Sequence, residues 1–245
     1  AAAVLGMVIY GLRALGLPVD TGIAAISALM VLVPGLVFTN FMCDLITGDM
    51  VSGLSTFVRA VLTATAIAIG TGVALGLFQT LGLAAEGVGN REDYGAVLQC
   101  LAAFLACSGF CVMYNVHGWG VVLCCLGGAL GWAVYLAMGM VTGSIYLRYL
   151  VAGIAIAAYA EAMARVRKYP ITAYLVVSFF PLVPGSYIYY AMYYAIQGQR
   201  QLFLESGIQA LGLASCLAIG TLLVSTTVRT CVTWRRERRM KRDTL

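Results

Sequence analysis

Apolar runs long enough to cross a lipid bilayer follow one another along nearly the whole chain, and they constrain its fold more than any motif does. Residues 60–85, for example, contain no charged side chain. A helix needs about 20 mostly apolar residues to cross a hydrocarbon core roughly 30 Å thick. Unpaired backbone groups cost several kcal/mol each in hydrocarbon, so such runs must become helices or a closed barrel. These runs are too long and too continuously apolar for barrel strands. Composition agrees: 62% of the 245 residues are hydrophobic and 10% are charged, where a soluble domain carries about 25% charged residues. The sequence therefore predicts an all-α integral membrane protein with about eight transmembrane helices in this chain and no soluble domain of useful size.

The helices are expected at about 2–17, 22–42, 53–82, 94–113, 118–140, 145–165, 171–197 and 206–228, joined by short connections. Arg165, Arg167 and Lys168 form one basic cluster, and Arg235, Arg236, Arg238, Arg239, Lys241 and Arg242 form another. Two helices separate the clusters, so both fit the cytoplasmic side, and counting back puts residue 1 inside as well. Residues 86–93, with Arg91 against Glu86, Glu92 and Asp93, then lie outside. The second cluster reads as a cytoplasmic juxtamembrane anchor, so the net charge of +5 is no nucleic-acid signal. The eight cysteines are scattered through apolar runs without CxxC spacing and read as packing residues. The chain starts with Ala and lacks a basic signal region, so an N-terminal truncation is expected.

An internal repeat runs at an offset of 150 residues. Leu32-Val33-Pro34-Gly35 recurs as Leu182-Val183-Pro184-Gly185. Without a gap, Met42 matches Met192, Ile46 matches Ile196, Gly48 matches Gly198, Leu54 matches Leu204, Ala60 matches Ala210 and Ala64 matches Ala214. Ala68-Ile69-Gly70-Thr71 then recurs as Ala218-Ile219-Gly220-Thr221. The offset contains five helices, an odd number, so the copies are expected to cross the membrane in opposite directions, a secondary-transporter signature. Three helices precede the motif helix in the second copy and one does in the first. Two more are therefore expected before residue 1, giving a ten-helix, 5+5 inverted repeat. The expected organisation is the last three helices of the first repeat at 1–84 and an extracytoplasmic linker at 85–93. A second five-helix repeat at 94–228 and a basic cytoplasmic tail at 229–245 follow.

Pro34-Gly35 and Pro184-Gly185 lie inside predicted helices. Proline removes a backbone hydrogen bond and clashes with the preceding turn, and glycine lets the freed backbone approach a ligand. A packing kink is the plainer reading of one copy; recurrence at symmetric positions favours a substrate site on discontinuous helices. Ionisable residues within the bilayer cost about 2.5–3.5 kcal/mol on insertion scales, which makes Arg13, Asp44, Arg59 and Glu161 candidates. Arg13, near a helix end, reads as a snorkelling residue. Glu161 and Arg165 are spaced i, i+4, so Glu161 is either ion-paired within its helix or a proton-coupling group. Asp44 and Arg59 are the stronger candidates, and Asn40, one turn before Asp44, adds an amide for a small polar substrate. Tyr187, Tyr190 and Tyr194 share a face and either line a cavity or form an interfacial belt. His117 reads as a solvated loop residue, Trp119 and Trp132 as interfacial or packing residues. The Gly72/Gly76 and Gly127/Gly131 pairs prepare close helix contacts. No phosphate loop, nucleophile elbow or paired metal-ligand motif occurs, so neither an enzyme nor a resident cofactor or metal is expected.

The stretch from Leu32-Val33-Pro34-Gly35 to Asn40, Asp44, Gly48 and Gly53 resembles the end of the N-terminal membrane half of the threonine/serine exporter family. Gly128 to Trp132, Glu161 to Pro170 (EAMARVRKYP) and Pro181 to Gly185 (PLVPG), followed by Tyr187 and Tyr190, resemble its C-terminal half. The resemblance covers nearly the whole chain, in the form that fuses the two halves. It implies a ten-helix secondary transporter of the cell membrane that exports small polar solutes on the proton gradient. It also implies a cytoplasmic N-terminal region and two initial helices ahead of residue 1. Members of the family divide between threonine or serine and small dicarboxylates such as succinate. The leading expectation is antiport of threonine or serine against protons. Asp44 or Glu161 would exchange the proton, and Asn40 with the broken-helix backbone would hold the zwitterion. The runner-up is a dicarboxylate exporter with Arg59 as counter-charge; the third reading is a non-transporting membrane scaffold or assembly subunit. Expected partners are the solute, protons and the lipid bilayer, not nucleic acid, and an oligomer is compatible with every reading.

Overall fold

A helix immersed in lipid is apolar on all sides, and the long helices of this chain carry that signature. In the computed structural model Val51, Val97, Val112 and Met140 are each more than three-quarters exposed, an extent of apolar surface that suits a hydrocarbon solvent. The structure describes residues 4, 7–9, 11–12, 35–80, 95–196 and 198–243, and no strand occurs among them. The helices are α1 (Gly35–Thr47), α2 (Met50–Thr80), α3 (Ala96–Met113), α4 (Trp119–Val141), α5 (Ile145–Arg167) and α6 (Ile171–Phe179). A 3-10 turn (Phe180–Leu182), α7 (Gly185–Ile196) and α8 (Arg200–Asp243) complete the order. Among the described residues five helices are long and apolar enough to cross a membrane, and a sixth span results if α6, the turn and α7 count as one broken crossing. The chain is an all-α membrane protein. The expected helix at 2–17 is helical at its described positions, and 22–34 lies outside the described residues.

Three boundaries depart from the expected ones, each for a local reason. The connection expected at 44–50 closes to Gly48 and Asp49, because Gly48 takes φ +89° and ends α1 with paired backbone bonds. The Gly48 N–H donates to Leu45 O at 3.2 Å and the Asp49 N–H to Asp44 O at 3.0 Å, the Schellman pairing that glycine permits. Asp49 then caps α2 by accepting the Ser52 N–H at 3.1 Å. The last helix starts at Arg200 and runs to Asp243 rather than covering 206–228, since the Arg, Lys, Glu and Met at its two ends are good helix formers. The third departure divides the helix expected at 171–197 at Val183.

The chain forms two compact units, Ala1–Asp93 with Pro184–Gly212 and Tyr94–Val183 with Leu213–Leu245. In the first, α1 packs on α2 and α2 on α7. In the second, α4 is central and touches α3, α5, α6 and the 3-10 turn. Glycine makes that crowding feasible, as the Gly127/Gly131 spacing predicts. A Cβ on Gly127 would strike Ser178 and Tyr159, one on Gly128 would strike Cys107, and one on Gly131 would strike Ile156. The middle of α8 also comes close to α5: a Cβ on Gly220 would stand 3.0 Å from Ile154 N and 3.1 Å from Leu150 O. Gly72 and Gly76 lie within α2, and of their packing nothing is described. All eight cysteines are free, and Cys107, Cys111, Cys124 and Cys125 share a buried cluster with Ala160, Tyr174 and Val177.

Candidate functional site

The PLVPG run contains two residues that have no backbone N–H to donate. Pro181 deprives Val177 O of its helical donor, and Pro184 does the same to Phe180 O. The chain tightens in response. The Phe180 N–H donates to Val177 O, and the Val183 N–H donates to Phe180 O at 3.3 Å. Proline also moves the residue before it out of the helical region, and Val183 accordingly has φ −62° and ψ 127°. The helix resumes at Gly185, with the Ile188 N–H donating to Pro184 O at 3.3 Å. The amides of Gly185, Ser186 and Tyr187 stand ahead of that bond, where a helix opening offers donors to an anionic group. Leu182, Val183, Pro184 and Gly185 are all buried. In the first copy Gly35 opens α1 as Gly185 opens α7, while Pro34 lies outside the described residues.

The elbow that follows each motif is the same bond for bond. Gly198 has φ +72°, as Gly48 has φ +89°. The Gly198 N–H donates to Ala195 O at 3.2 Å and the Gln199 N–H to Tyr194 O at 2.9 Å, matching the Gly48 and Asp49 bonds. The next pair matches too. Met50 N–H donates to Gly48 O at 3.0 Å and Arg200 N–H to Gly198 O at 3.1 Å; Gly53 donates to Asp49 O at 2.9 Å and Phe203 to Gln199 O at 3.0 Å. Ala60 and Ala64 are buried, and so are Ala210 and Ala214. The sequence repeat is therefore also a repeat of local structure. Its register aligns Asn40 with Tyr190 and Asp44 with Tyr194, so the polar face of α1 and the tyrosine face of α7 occupy equivalent positions.

Asp44 is half-buried in the last turn of α1, and the Ser52 hydroxyl donates to its Oδ2 at 3.0 Å. The carboxylate thus sits at the first turn of α2, where the helix dipole favours an anion. Asn40 is exposed. Arg59 is exposed on α2, and its side chain has no partner among the described residues, so the structure does not join it to Asp44. Tyr187, Tyr190 and Tyr194 are half-buried, and the Tyr190 and Tyr194 rings stack with centroids 6.0 Å apart.

In the second unit Glu161 accepts a hydrogen bond from Arg165 Nη2 at 3.3 Å, the i, i+4 ion pair of the sequence reading. Arg165 is half exposed, so the pair stabilises by no more than about 1 kcal/mol. Arg148 is not among the residues expected from the sequence. Its Nε and Nη2 donate to Thr142 O at 3.0 and 2.8 Å and cap the end of α4, in room left by Gly139. Only an Arg in the first turn after Thr142-Gly143-Ser144 marks it in the sequence. Trp132 donates to Gln99 Oε1 at 3.3 Å, and exposed His117 sits 2.8 Å from Asn115 O in its turn. Arg13 lies outside the described residues.

Two family comparisons match, one along each part of the chain. The model described as Threonine/Serine exporter, ThrE, covers residues 99–227, and a further threonine/serine exporter model covers residues 1–78. No curated protein and no solved structure matches the chain. The first model alone takes in more than half of the sequence and includes the PLVPG break, while the second includes Asp44 and the first elbow. Matched on both sides of residues 79–98, this multi-pass membrane chain belongs to the threonine/serine exporter family.

Proposed function

We propose that the chain exports a small polar amino acid, threonine or serine in the first place, in exchange for protons. The observation that carries this reading is the duplicated helix–glycine–helix frame, each copy of which follows an LVPG motif. Secondary transporters place solute and coupling ion at broken helices in symmetric repeats. The two copies are read as inverted halves of a ten-helix whole, 1–84 and 94–228 joined by an outside linker at 85–93. The basic 229–245 tail lies in the cytoplasm and the protein in the cell membrane. The amides that open α7 at Gly185 take the carboxylate of the amino acid, with Pro34 and Gly35 as the matching break. Asn40 holds the polar side chain, and Tyr187 and Tyr190 line the same cavity. Asp44 exchanges the proton, because it is half-shielded and its Ser52 partner holds it at the elbow. Glu161, already paired with Arg165, is the second candidate for that exchange.

One observation favours a second substrate class. The Arg59 guanidinium has no side-chain partner among the described residues and supplies the counter-charge a dicarboxylate needs. The deciding experiment places the complete protein in proteoliposomes under an imposed pH gradient and follows threonine, serine and succinate efflux side by side. Threonine or serine efflux that collapses with the gradient is the expected result. Succinate efflux alone transfers the site to the second class. Absence of flux for all three leaves only the scaffold reading.

A further inference from the structure

The α6 end of the broken segment is held by neighbouring helices as well as by its own backbone. Val177 O, deprived of its helical donor by Pro181, accepts the Cys107 thiol of α3 at 3.5 Å. Cys107 and Val177 are both wholly buried. Room for the thiol comes from α4, where a Cβ on Gly128 would collide with Cys107 Sγ. One turn earlier the Cys124 thiol donates to Ala173 O at 3.7 Å. The Ser178 hydroxyl donates to Cys124 O at 3.2 Å in the gap left by Gly127. Three side-chain bonds to carbonyls therefore tie α6 to α3 and α4. The position equivalent to Pro181 in the first copy is Val31, so the need for an added donor belongs to the second copy.

We infer that Cys107 is a positioning residue for the PLVPG break. Its thiol adds a donor from α3 to Val177 O beside the Phe180 N–H, and so fixes the end of α6 where the chain unwinds towards Gly185. A thiol is a weak donor, yet the second lone pair of this wholly buried carbonyl has no water to turn to, so even a weak donor from α3 adds to the hold of the Phe180 N–H. The inference rests on the reading of this break as a solute site.

The test compares Cys107→Val, which keeps the size and loses the donor, with Cys107→Ser, which keeps a donor. Hydrogen exchange of the amides of residues 182–188 in the complete protein is expected to quicken on the order of fivefold in Cys107→Val and to return in Cys107→Ser. The threonine KM should rise by a similar factor in Cys107→Val with the maximal rate retained, and Cys107→Ser should restore it. Should Cys107→Val not fold, Cys107→Ala carries the same comparison. Parental exchange in the donor-free variant, or a Ser variant that exchanges as the Val variant does, overturns the inference. Exchange needs no solute, so it decides the role of Cys107 even where absent threonine flux has already removed the proposed function.

Discussion

The Asp44 carboxylate accepts a hydrogen bond from Ser52 at 3.0 Å and lies at the first turn of α2, where the helix dipole favours an anion. Asn fits the same place, since its amide oxygen still accepts from Ser52 while its charge no longer changes. Asp44→Asn is therefore expected to leave the amount of folded protein near the parental level. Proton-driven export should fall on the order of tenfold or more, because the half-buried carboxylate proposed to exchange the proton is lost. Efflux from proteoliposomes over a range of imposed pH gradients checks this; a variant that keeps the full gradient dependence removes Asp44 from the coupling step. Asp44 was legible in the sequence because an acid in an apolar run stands out. Its partner was not, because the connection was expected to occupy 44–50, whereas the glycine turn needs only two residues and leaves Asp44 inside α1. Arg148 shows the opposite limit: hydropathy sees one more helix-end cation, and only folded geometry reveals the Thr142 carbonyl that it caps.

At the scale of the helix, glycine and proline do different work in the two units. Gly131 is buried on α4 with no room for a side chain, since a Cβ there would run into Ile156. Gly131→Leu is expected to destabilise the protein by about 1–3 kcal/mol through overpacking, read as a lower unfolding temperature in detergent. The exposed Gly109 on α3 meets nothing within 4 Å, so Gly109→Ala should show no such loss. Pro184 and Gly185 act on the backbone instead. Pro184→Ala with Gly185→Leu returns the freed carbonyls to i to i+4 bonds and fills the space beside them. Insertion should be unaffected, because hydropathy and flanking charge set it. Solute binding should weaken by on the order of 1–3 kcal/mol, the cost of a lost buried hydrogen bond. Equal affinity in the purified variant and the parent would make the break a packing kink. That break was legible because no helix can pass a Pro-Gly pair unchanged. The start of α8 at Arg200 was not, because the polar residues that open it read equally well as a loop or as a helix end outside the hydrocarbon.

Across the whole molecule the repeat was the most legible long-range feature, because an ungapped register survives even where individual residues change. The structure adds that the register preserves two glycine elbows bond for bond, while the chemistry on them diverges from Asn40 and Asp44 to Tyr190 and Tyr194. Partition into compact units was not legible. Pro184–Gly212 joins Ala1–Asp93 although residues 94–183 intervene, and no local pattern records which distant helices will pack. The repeat nevertheless makes one global prediction. Five helices separate the elbows in the sequence reading, so Asp49 and Gln199, equivalent residues in identical turns, are expected on opposite faces of the membrane. Asp49→Cys should react with a membrane-impermeant thiol reagent only from the cytoplasmic face and Gln199→Cys only from the outside, each measured above the background of the parent's native cysteines. The Asp49 substitution removes the cap of α2 at a cost of about 1 kcal/mol, which leaves the fold intact. Labelling of both positions from the same face would mean parallel copies, and with them the inverted repeat and the site assignment at the two LVPG motifs would both be lost.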